Sequence, residues 1–355
     1  MPGSRGRHRK RGARWLVQVA EWTVASVVVL GIAGLGYLFL KFNDNLQTVD
    51  IDQALGDDRP QNVDNGSMDI LVLGSDSRNG ANSEYGHDDG SARSDTAMIV
   101  HLYEGRQKAE AISIPRDTMV ARPACTTRDG GTDPGSRRAM FNESFSVGGA
   151  ACAVKTVEAL SGLRMDHYIE VDFTGFKKIV DGLGGVEVTT NKPIKDGSSH
   201  LDLPVGTSRL DGEQALGLVR TRKSVGDGSD LGRIQLQQAF VKALVKQVNG
   251  IGIFDSPKRL LSLADTATKA ITTDTALGDV TSLLGFARDF QGLDAGNLHM
   301  ITLPVTADPL DPNRVVPLAD AASAVWDALR GDQPVPAWVT ERSTGDKGSA
   351  KTVVR

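Results

Sequence analysis

The feature that most limits how this 355-residue chain can fold is an uncharged stretch near its amino end. The segment "WTVASVVVLGIAGLGYLFL", from Trp22 to Leu40, carries no charged side chain. As a helix rising ~1.5 Å per residue it would extend about 28 Å, close to the thickness of the bilayer hydrocarbon core. The segment therefore predicts one transmembrane helix, within an anchor that we place at residues 15–42.

The charges on either side of this segment predict its orientation. Residues 1–14 hold six basic side chains and no acid, whereas the whole chain has a formal net charge of −4. The positive-inside rule then predicts a cytoplasmic tail at 1–14, with the rest of the chain outside the membrane. A cleaved signal peptide is the alternative, but its apolar core would usually be shorter and no small-residue cleavage site follows Leu40. Because topology explains the basic tail, we predict no nucleic-acid partner.

The part outside the membrane is predicted to be one domain. Residues 43–67 are polar and rich in turn formers, which is typical of a linker, and 332–355 hold few large apolar residues, as in a loose tail. Between them, no repeat or long low-complexity break interrupts a domain at 68–331, with a motif core at 68–249. Cys125 and Cys152 both fall there. An even count in an oxidising compartment favours a disulfide, with two unpaired buried thiols as the alternative.

The hydrophobic pattern of this domain alternates between strand and helix signals. "MDILVLG" (68–74) is a continuous apolar run, typical of a strand buried on both faces. "TAMIVHLY" and "AEAISIP" are joined by "EGRQK", which predicts a hairpin turning at Gly105 and Arg106. "GAACAVKTVEAL" (149–160) predicts a helix that ends at Gly162. Apolar residues at helical spacing follow Asp172, a predicted helix N-cap, and recur from Ile234. The pattern predicts an α/β fold with a mixed central β-sheet flanked by helices, an α-β-α sandwich.

Charged side chains collect where these predicted strands end. Asp76 and Arg78 follow the 68–74 strand, at the edge where open α/β sheets bind ligands. Folding the hairpin about its central turn places Asp95 opposite Arg116. Two acids and two arginines are thus predicted near one edge of the sheet.

Further charged residues are predicted at the same place. The hairpin also brings Arg93 and Asp117 to that end, and in an extended segment Arg220 and Arg222 would point to one face. Arg233 falls in the first turn of a helix, whose free N–H groups favour anions. Arginine forks match phosphate oxygens, and a hard cation such as Mg²⁺ allows carboxylates to share such a site. A surface salt-bridge network is the alternative interpretation.

Six stretches, taken together and in order, closely resemble the LytR–CpsA–Psr family of cell-wall glycopolymer ligases. They lie within residues 68–240, about half of the chain: "ILVLGSDSR", "RSDTAMIVHL", "ISIPRD", "DHYIEVDFTGFKKIVDGLGGVEV", "LDGEQALGLVRTRK" and "DLGRIQLQQ". Two departures are "LGLVR", where the family often has an aromatic residue before "VR", and "MFNESF" (140–145), where it often has "KINAAF". Neither departure removes a charged residue of the motifs.

The resemblance implies roles for the charged residues. Asp76 and Asp95 match the metal-coordinating acids, which would hold Mg²⁺, with Mn²⁺ as an alternative ion. Together with Arg116 they form the implied catalytic set. The family's pyrophosphate ligands match six arginines: Arg78, Arg93, Arg116, Arg220, Arg222 and Arg233. The resemblance also implies an apolar tunnel between sheet and helices for a lipid tail.

The implied function is that of a single-pass membrane phosphotransferase with its catalytic domain outside the cell. It would move a glycopolymer from a polyprenyl-pyrophosphate carrier to a peptidoglycan sugar hydroxyl. A polyprenyl-pyrophosphate hydrolase and a non-catalytic protein that binds lipid or wall polymer remain alternatives. Glycine- and alanine-rich usage and the cysteine pair suggest an actinobacterium, and hence arabinogalactan, a teichoic-type polymer or capsule as the glycopolymer.

Overall fold

The computed structural model describes residues 33–34, 36–75, 94–221, 230–252 and 256–343. The chain divides into two compact units, Met1–Asn45 and Leu46–Arg355. In the first unit, residues 36–45 are helical. None of the helices within the described ranges is long and apolar enough to cross a membrane. Most of the predicted 15–42 anchor lies outside those ranges.

The second unit is built on one large sheet with smaller ribbons around it. Its described residues form seventeen strands: β1 (Gln47–Val49), β2 (Met68–Ser75), β3 (Ser94–Leu102), β4 (Ala109–Ile114), β5 (Met119–Arg122), β6 (Cys125–Thr126), β7 (Thr132–Asp133), β8 (Ser136–Met140), β9 (His167–Asp172), β10 (Val186–Thr190), β11 (Ile194–Asp196), β12 (Leu201–Leu203), β13 (Gly206–Leu210), β14 (Ile271–Asp274), β15 (Leu298–Thr302), β16 (Val305–Asp308) and β17 (Asp311–Pro317). The large sheet has seven strands in the order β1-β14-β9-β2-β3-β4-β15.

Along the chain, the helices of this unit lie between the strands and after the last of them. In the described ranges they are α1 (Ile51–Leu55), α2 (Phe141–Ser161), α3 (Phe173–Gly182), α4 (Gly212–Arg220), α5 (Asp230–Gly250), α6 (Pro257–Thr268), α7 (Val280–Asp289), α8 (Ala319–Arg330) and α9 (Ala337–Ser343). The predicted helix stop at Gly162 is confirmed, since this residue caps α2 in the left-handed conformation. The predicted cap of α3 is confirmed as well, because Asp172 accepts a hydrogen bond from the backbone N–H of Gly175 at 2.6 Å.

The sheet is mixed, as the sequence predicts. β2, β3 and β4 form an antiparallel meander, while β9 pairs in parallel with β2 and β15 in parallel with β4. One face packs against α2 and α8 through a core that includes Leu71, Ile99, Phe141 and Trp326. On the opposite face, α3, α4 and α5 enclose a second core with β10 and β13. The α-β-α arrangement confirms the predicted fold class.

Two segments predicted to lie outside the domain contribute to it in the structure. In the predicted linker 43–67, β1 pairs with β14, and the side chain of Arg59 is only 3% exposed. In the predicted tail, α9 buries Val339 completely. Both segments have few apolar residues, so a pattern of hydrophobicity could not assign them to the core.

The two cysteines are joined as predicted. Cys125 on β6 and Cys152 on α2 form a disulfide that closes a separation of 27 residues. In the chain-entropy model, a loop of this size stabilises the fold by roughly 3 kcal/mol. The bond ties the β5 to β8 region to the long helix on one face of the sheet.

A buried histidine near the end of β3 lies between two carboxylates. His101 is fully buried; its Nδ1 lies 2.8 Å from Asp69 Oδ1 and its Nε2 lies 3.0 Å from Asp332 Oδ1. Burial lowers the pKa of His101, but hydrogen bonds and the negative charge of Asp69 and Asp332 outweigh it and raise the pKa overall. Burial also raises the pKa of Asp69. The cluster therefore favours the protonated state and fastens the segment after α8 to the sheet.

This cluster predicts that stability falls as the pH rises. A group whose pKa is raised by folding contributes its full stabilisation below its unfolded value, about 6.5 for histidine, and loses it as the pH rises through the folded value. We therefore expect the unfolding free energy to fall by up to about 1.4 kcal/mol per pH unit between the unfolded pKa of His101 and its raised folded pKa. Urea denaturation from pH 6 to pH 9 measures it. His101→Gln should flatten this slope, whereas His299→Gln, at an exposed position, should keep it; an unchanged slope in His101→Gln would contradict the assignment.

Candidate active site

The centre of the candidate site is a pair formed across the β3–β4 hairpin. The chain turns at Gly105 and Arg106, both with positive φ, and the register pairs Ala97 with Ile114. This is the predicted register. Beyond the last paired residues, Arg116 Nη1 donates a hydrogen bond to Asp95 Oδ1. The hairpin therefore brings together the two residues that the sequence places opposite each other.

Arg116 is surrounded by carboxylates. Its Nε lies 3.6 Å from Asp230 Oδ1 and 3.8 Å from Asp117 Oδ2, in addition to its bond with Asp95. Burial lowers the pKa of Arg116, but the negative charges of Asp95, Asp230 and Asp117 raise it overall. The buried Nε has no hydrogen-bond partner among the described residues. The guanidinium is thus a permanent positive charge among three carboxylates.

The side chain of Arg233 joins the start of α5 to the Asp95–Arg116 pair. It lies in the first turn of α5 and is 5% exposed. Its Nη2 donates to the backbone carbonyl of Asp95 at 2.9 Å and to Asp230 Oδ1 at 2.6 Å. The helix start that was predicted to favour anions therefore lies directly beside Arg116.

Arg220 reaches the site from a helix, not from the extended segment predicted for it. It is the last residue of α4, and its guanidinium lies over the ring of Phe173, 4.9 Å from the ring centre. A capping box between Asp211 and Gln214 starts α4, which explains why the chain is helical here. Of the other predicted ligands, Asp76, Arg78, Arg93 and Arg222 lie outside the described residues.

An apolar cavity of about 460 Å³ opens at this cluster. It lies between the sheet and α3, α4 and α5, where the resemblance places a lipid tunnel. Most of its lining is aliphatic or aromatic: Val72, Leu73, Met98, Val100, Val171, Phe173, Phe176, Ile179, Val180, Leu216, Val219, Phe240, Val241 and Leu244. Five of its lining residues are charged: Asp95, Arg116, Asp172, Arg220 and Arg233. A ligand with an apolar tail and an anionic head matches this division.

Of the two predicted metal ligands, Asp95 lies within the described residues. Asp95 has a partly exposed side chain and lines the cavity beside Arg116. Carboxylate oxygens are the donors that Mg²⁺ prefers, and the predicted second ligand, Asp76, follows β2 directly. Within the described ranges, no group of three or more His, Cys, Asp or Glu residues is placed to hold a metal ion. Asp76 lies outside those ranges.

Comparison with known proteins identifies the family of this chain. The model of the LytR_cpsA_psr family matches residues 38–330. The chain belongs to the LytR–CpsA–Psr family. As a family member it is 31% identical over 312 residues to cell wall biosynthesis protein LcpA of Corynebacterium glutamicum, covering 79% of this chain and 58% of LcpA.

Other relatives extend the comparison. The chain is 30% identical to the polyisoprenyl-teichoic acid–peptidoglycan teichoic acid transferase TagT of Bacillus subtilis, covering 82% of this chain and 87% of TagT. The LytR-Csp2A-Psr enzyme from Actinomyces oris has the same fold, with a TM-score of 0.61 at 22% identity over 80% of this chain and 95% of that one. The corynebacterial relative agrees with the predicted actinobacterial character. The chain spans less than two thirds of the length of LcpA.

Two residues of the site were not predicted as functional. The sequence motifs assign no functional role to Asp230 or Phe173. Asp230 accepts a hydrogen bond from Arg233 and lies 3.6 Å from Arg116. The ring of Phe173 packs against the guanidinium of Arg220. The i,i+3 spacing of Asp230 and Arg233 was a usable signal. Contact between Phe173 and Arg220 depends on how α3 packs against α4, which the sequence pattern does not report.

Proposed function

We propose that this chain is a membrane-anchored phosphotransferase that attaches a glycopolymer to peptidoglycan. Its donor would be the polymer on a polyprenyl-pyrophosphate carrier, and its acceptor a peptidoglycan sugar hydroxyl. The observation that carries the proposal is the apolar cavity whose mouth holds Asp95, Arg116, Arg220 and Arg233. The names of LcpA and TagT, a cell wall biosynthesis protein and a teichoic acid transferase, support the same class of reaction.

The cavity matches the donor in both of its parts. A polyprenyl tail gains about 0.8 kcal/mol for each CH₂ group that leaves water, and the aliphatic walls offer such burial. The pyrophosphate would lie at the mouth, where Arg116, Arg220 and Arg233 present planar forks of N–H donors. A related structure, described as TagT bound to LI-WTA, has the same fold, with a TM-score of 0.57 at 25% identity.

In the proposed step, the acceptor hydroxyl oxygen bonds to the phosphorus that carries the polymer. The bond between this phosphorus and the bridging oxygen of the pyrophosphate breaks, and polyprenyl phosphate leaves with the electron pair. The hydroxyl proton passes to a carboxylate at the mouth or to water. Arg116 and Arg233 neutralise charge on the phosphoryl oxygens and the leaving phosphate, which is the main catalytic requirement of phosphoryl transfer.

We propose Asp95 and Asp76 as the residues that would hold Mg²⁺, with Mn²⁺ as an alternative. The ion would neutralise pyrophosphate charge beside acidic side chains that otherwise repel it. Arg116, through its bond with Asp95, orients this carboxylate toward the cavity mouth.

We also propose that the 15–42 segment anchors the protein with its domain outside the membrane, as its charge pattern predicts. The polymer would be arabinogalactan, a teichoic-type polymer or capsule.

Filling the cavity should test the lipid assignment. Leu244 lines the cavity from α5, so Leu244→Trp should obstruct the tail and raise KM for the polyprenyl-linked donor by about tenfold or more, the value of two or more lost CH₂ contacts. The assay uses the full-length protein in detergent with Mg²⁺, a polyprenyl-pyrophosphate glycan and peptidoglycan fragments. Phosphate-linked conjugate and free polyprenyl phosphate are both quantified.

The control is Leu261→Trp, at an exposed position on α6 that lines neither this cavity nor the mouth. An unchanged KM in Leu244→Trp would mean that the tail binds elsewhere. Release of polyprenyl phosphate without conjugate would favour the hydrolase. Tight lipid binding without turnover would leave a binding protein.

A further inference from the structure

A polar cleft of about 1150 Å³ lies on the other side of α5 from the apolar cavity. The residues of α5 that line the cavity, Arg233, Gln237, Phe240, Val241 and Leu244, form one stripe at helical spacing. The α5 residues that line the cleft occupy the opposite face: Gln235, Gln238, Ala239, Lys242, Ala243, Lys246, Gln247 and Gly250. One helix therefore separates an apolar cavity from a cleft that also presents charged and amide side chains.

The second wall of the cleft is the ribbon of β10 and β13. Its inward row, Val186, Val188 and Leu210, is buried in the core. Its outward row lines the cleft as two cross-strand pairs. Thr189 and Thr207 share a hydrogen bond between their hydroxyls, and Arg209 donates to Glu187 at 3.1 Å. The ribbon thus presents hydroxyl and charged groups to the cleft.

The charge of the cleft is positive. Its described lining holds Lys242, Lys246 and Arg209 against a single acid, Glu187, which is bonded to Arg209. Both lysines are exposed and stand one turn apart on α5. Gln235 and Gln247 add amide groups that can donate and accept. This chemistry suits an elongated ligand with hydroxyls and negative charges.

Two residues that line the cleft are close along the chain to residues of the candidate active site. Gln235 follows Arg233 by two residues, and Gln238 donates to Ser113 Oγ at 3.0 Å, three residues before Arg116. From there the lining continues along α5 to Gly250, a distance of about 22 Å at ~1.5 Å per residue. The cleft can therefore hold several sugar residues of a polymer whose end reaches the site.

We propose that this cleft binds the acceptor glycan strand of peptidoglycan, with its stem-peptide carboxylates near Lys242 and Lys246. The inference rests on the proposed function. In phosphoryl transfer, nucleophile and leaving group lie on opposite sides of phosphorus. The leaving polyprenyl phosphate would be held in the apolar cavity, so the acceptor hydroxyl has to reach phosphorus from outside that cavity, and the cleft on the other face of α5 provides a polar surface there.

The test measures strand binding to the full-length protein in detergent. The probes are uncross-linked peptidoglycan strands with intact stem peptides, the same strands after an amidase has removed the peptides, and polyglycerol phosphate as a soluble anionic polymer resembling a donor. Lys242→Gln combined with Lys246→Gln should weaken binding of intact strands about tenfold, the effect of two exposed charge contacts. Lys258→Gln, at an exposed position on α6, is the matched control.

In the transfer assay the double variant should raise KM for the strands and retain kcat. Stripped strands keep only the lactyl carboxylate of each muramic acid, so they should bind more weakly than intact strands and respond less to the double variant. Equal binding of intact strands to wild type and double variant would overturn the inference, and so would a loss confined to polyglycerol phosphate, which would assign the cleft to the donor polymer. Lysine-dependent strand binding without any transfer by the wild type would instead refute the proposed function and leave the cleft assignment standing.

Discussion

Replacing Arg116 with alanine should lower the rate of the proposed glycopolymer transfer about a thousandfold, the usual effect of removing an arginine that stabilises a phosphoryl-transfer transition state. The side chain lies at the cavity mouth and orients Asp95 through a direct bond. Its loss would remove a phosphate ligand and leave the negative charges of Asp95, Asp117 and Asp230 facing an anionic substrate. The measurement is the initial rate of conjugate formation at saturating donor.

Arg116→Lys makes this test more specific. Lysine keeps the charge but lacks the planar fork, so we expect it to recover only a small part of the rate. Arg288→Ala, at an exposed position on α7, should behave as the wild type. Thermal unfolding of each variant separates a loss of chemistry from a loss of structure. A folded Arg116→Ala protein with a rate within tenfold of the wild type would remove Arg116 from the mechanism.

The largest effect on stability is expected at a buried ion pair far from the site. Arg59 and Glu158 have side chains 3% and 2% exposed, and Arg59 Nη2 lies 2.5 Å from Glu158 Oε1. Burial lowers the pKa of Arg59, but its bond to Glu158 raises it overall. Glu158→Gln would leave the guanidinium buried with the exposed Asp52 as its remaining charge partner, at a cost of about 3–5 kcal/mol. Denaturant unfolding measures the change.

Glu158→Gln removes the negative charge and keeps the size of the side chain, so it measures the effect of the charge alone. Glu158 Oε1 also accepts from the backbone N–H of Met165 at 3.0 Å, and a glutamine oxygen can keep that bond. Glu341→Gln, at an exposed position on α9, provides the matched control. A cost below about 1 kcal/mol, the value typical of exposed pairs, would mean that water reaches Arg59 in the folded protein.

These two predictions differ in how far the sequence anticipates them. The Asp95–Arg116 pair was predicted because the two residues flank a hairpin, whose register follows from a short turn and alternating strands. The Arg59–Glu158 pair joins residues 99 positions apart, and Arg59 lies in a segment that its polar composition marked as a linker. The contact forms because β1 and α1 bring that segment against α2, which local pattern does not encode.

The residues of the candidate site also divide into those predicted from local sequence and those whose placement depends on tertiary packing. Arg233 was predicted beside the anion site because a helix start is a local feature. Arg220 was misplaced in an extended segment, since its helix is set by the Asp211–Gln214 capping box and by burial of Leu216 and Leu218 against distant elements. The cavity could be implied only by resemblance, because its walls come from strands and helices spread over residues 72–244.

By itself, the sequence determined the alternation of strands and helices, the hairpin register, the caps of α2 and α3 and the charge pattern at one edge of the sheet. These depend on the backbone preferences and spacing of residues close in the chain. Only the tertiary structure decided which charges meet Arg116, how α5 separates an apolar cavity from a polar cleft, and how His101 and Arg59 are buried. Each of these depends on packing between segments far apart in the chain, where the free energy of burial, and not local propensity, sets the arrangement.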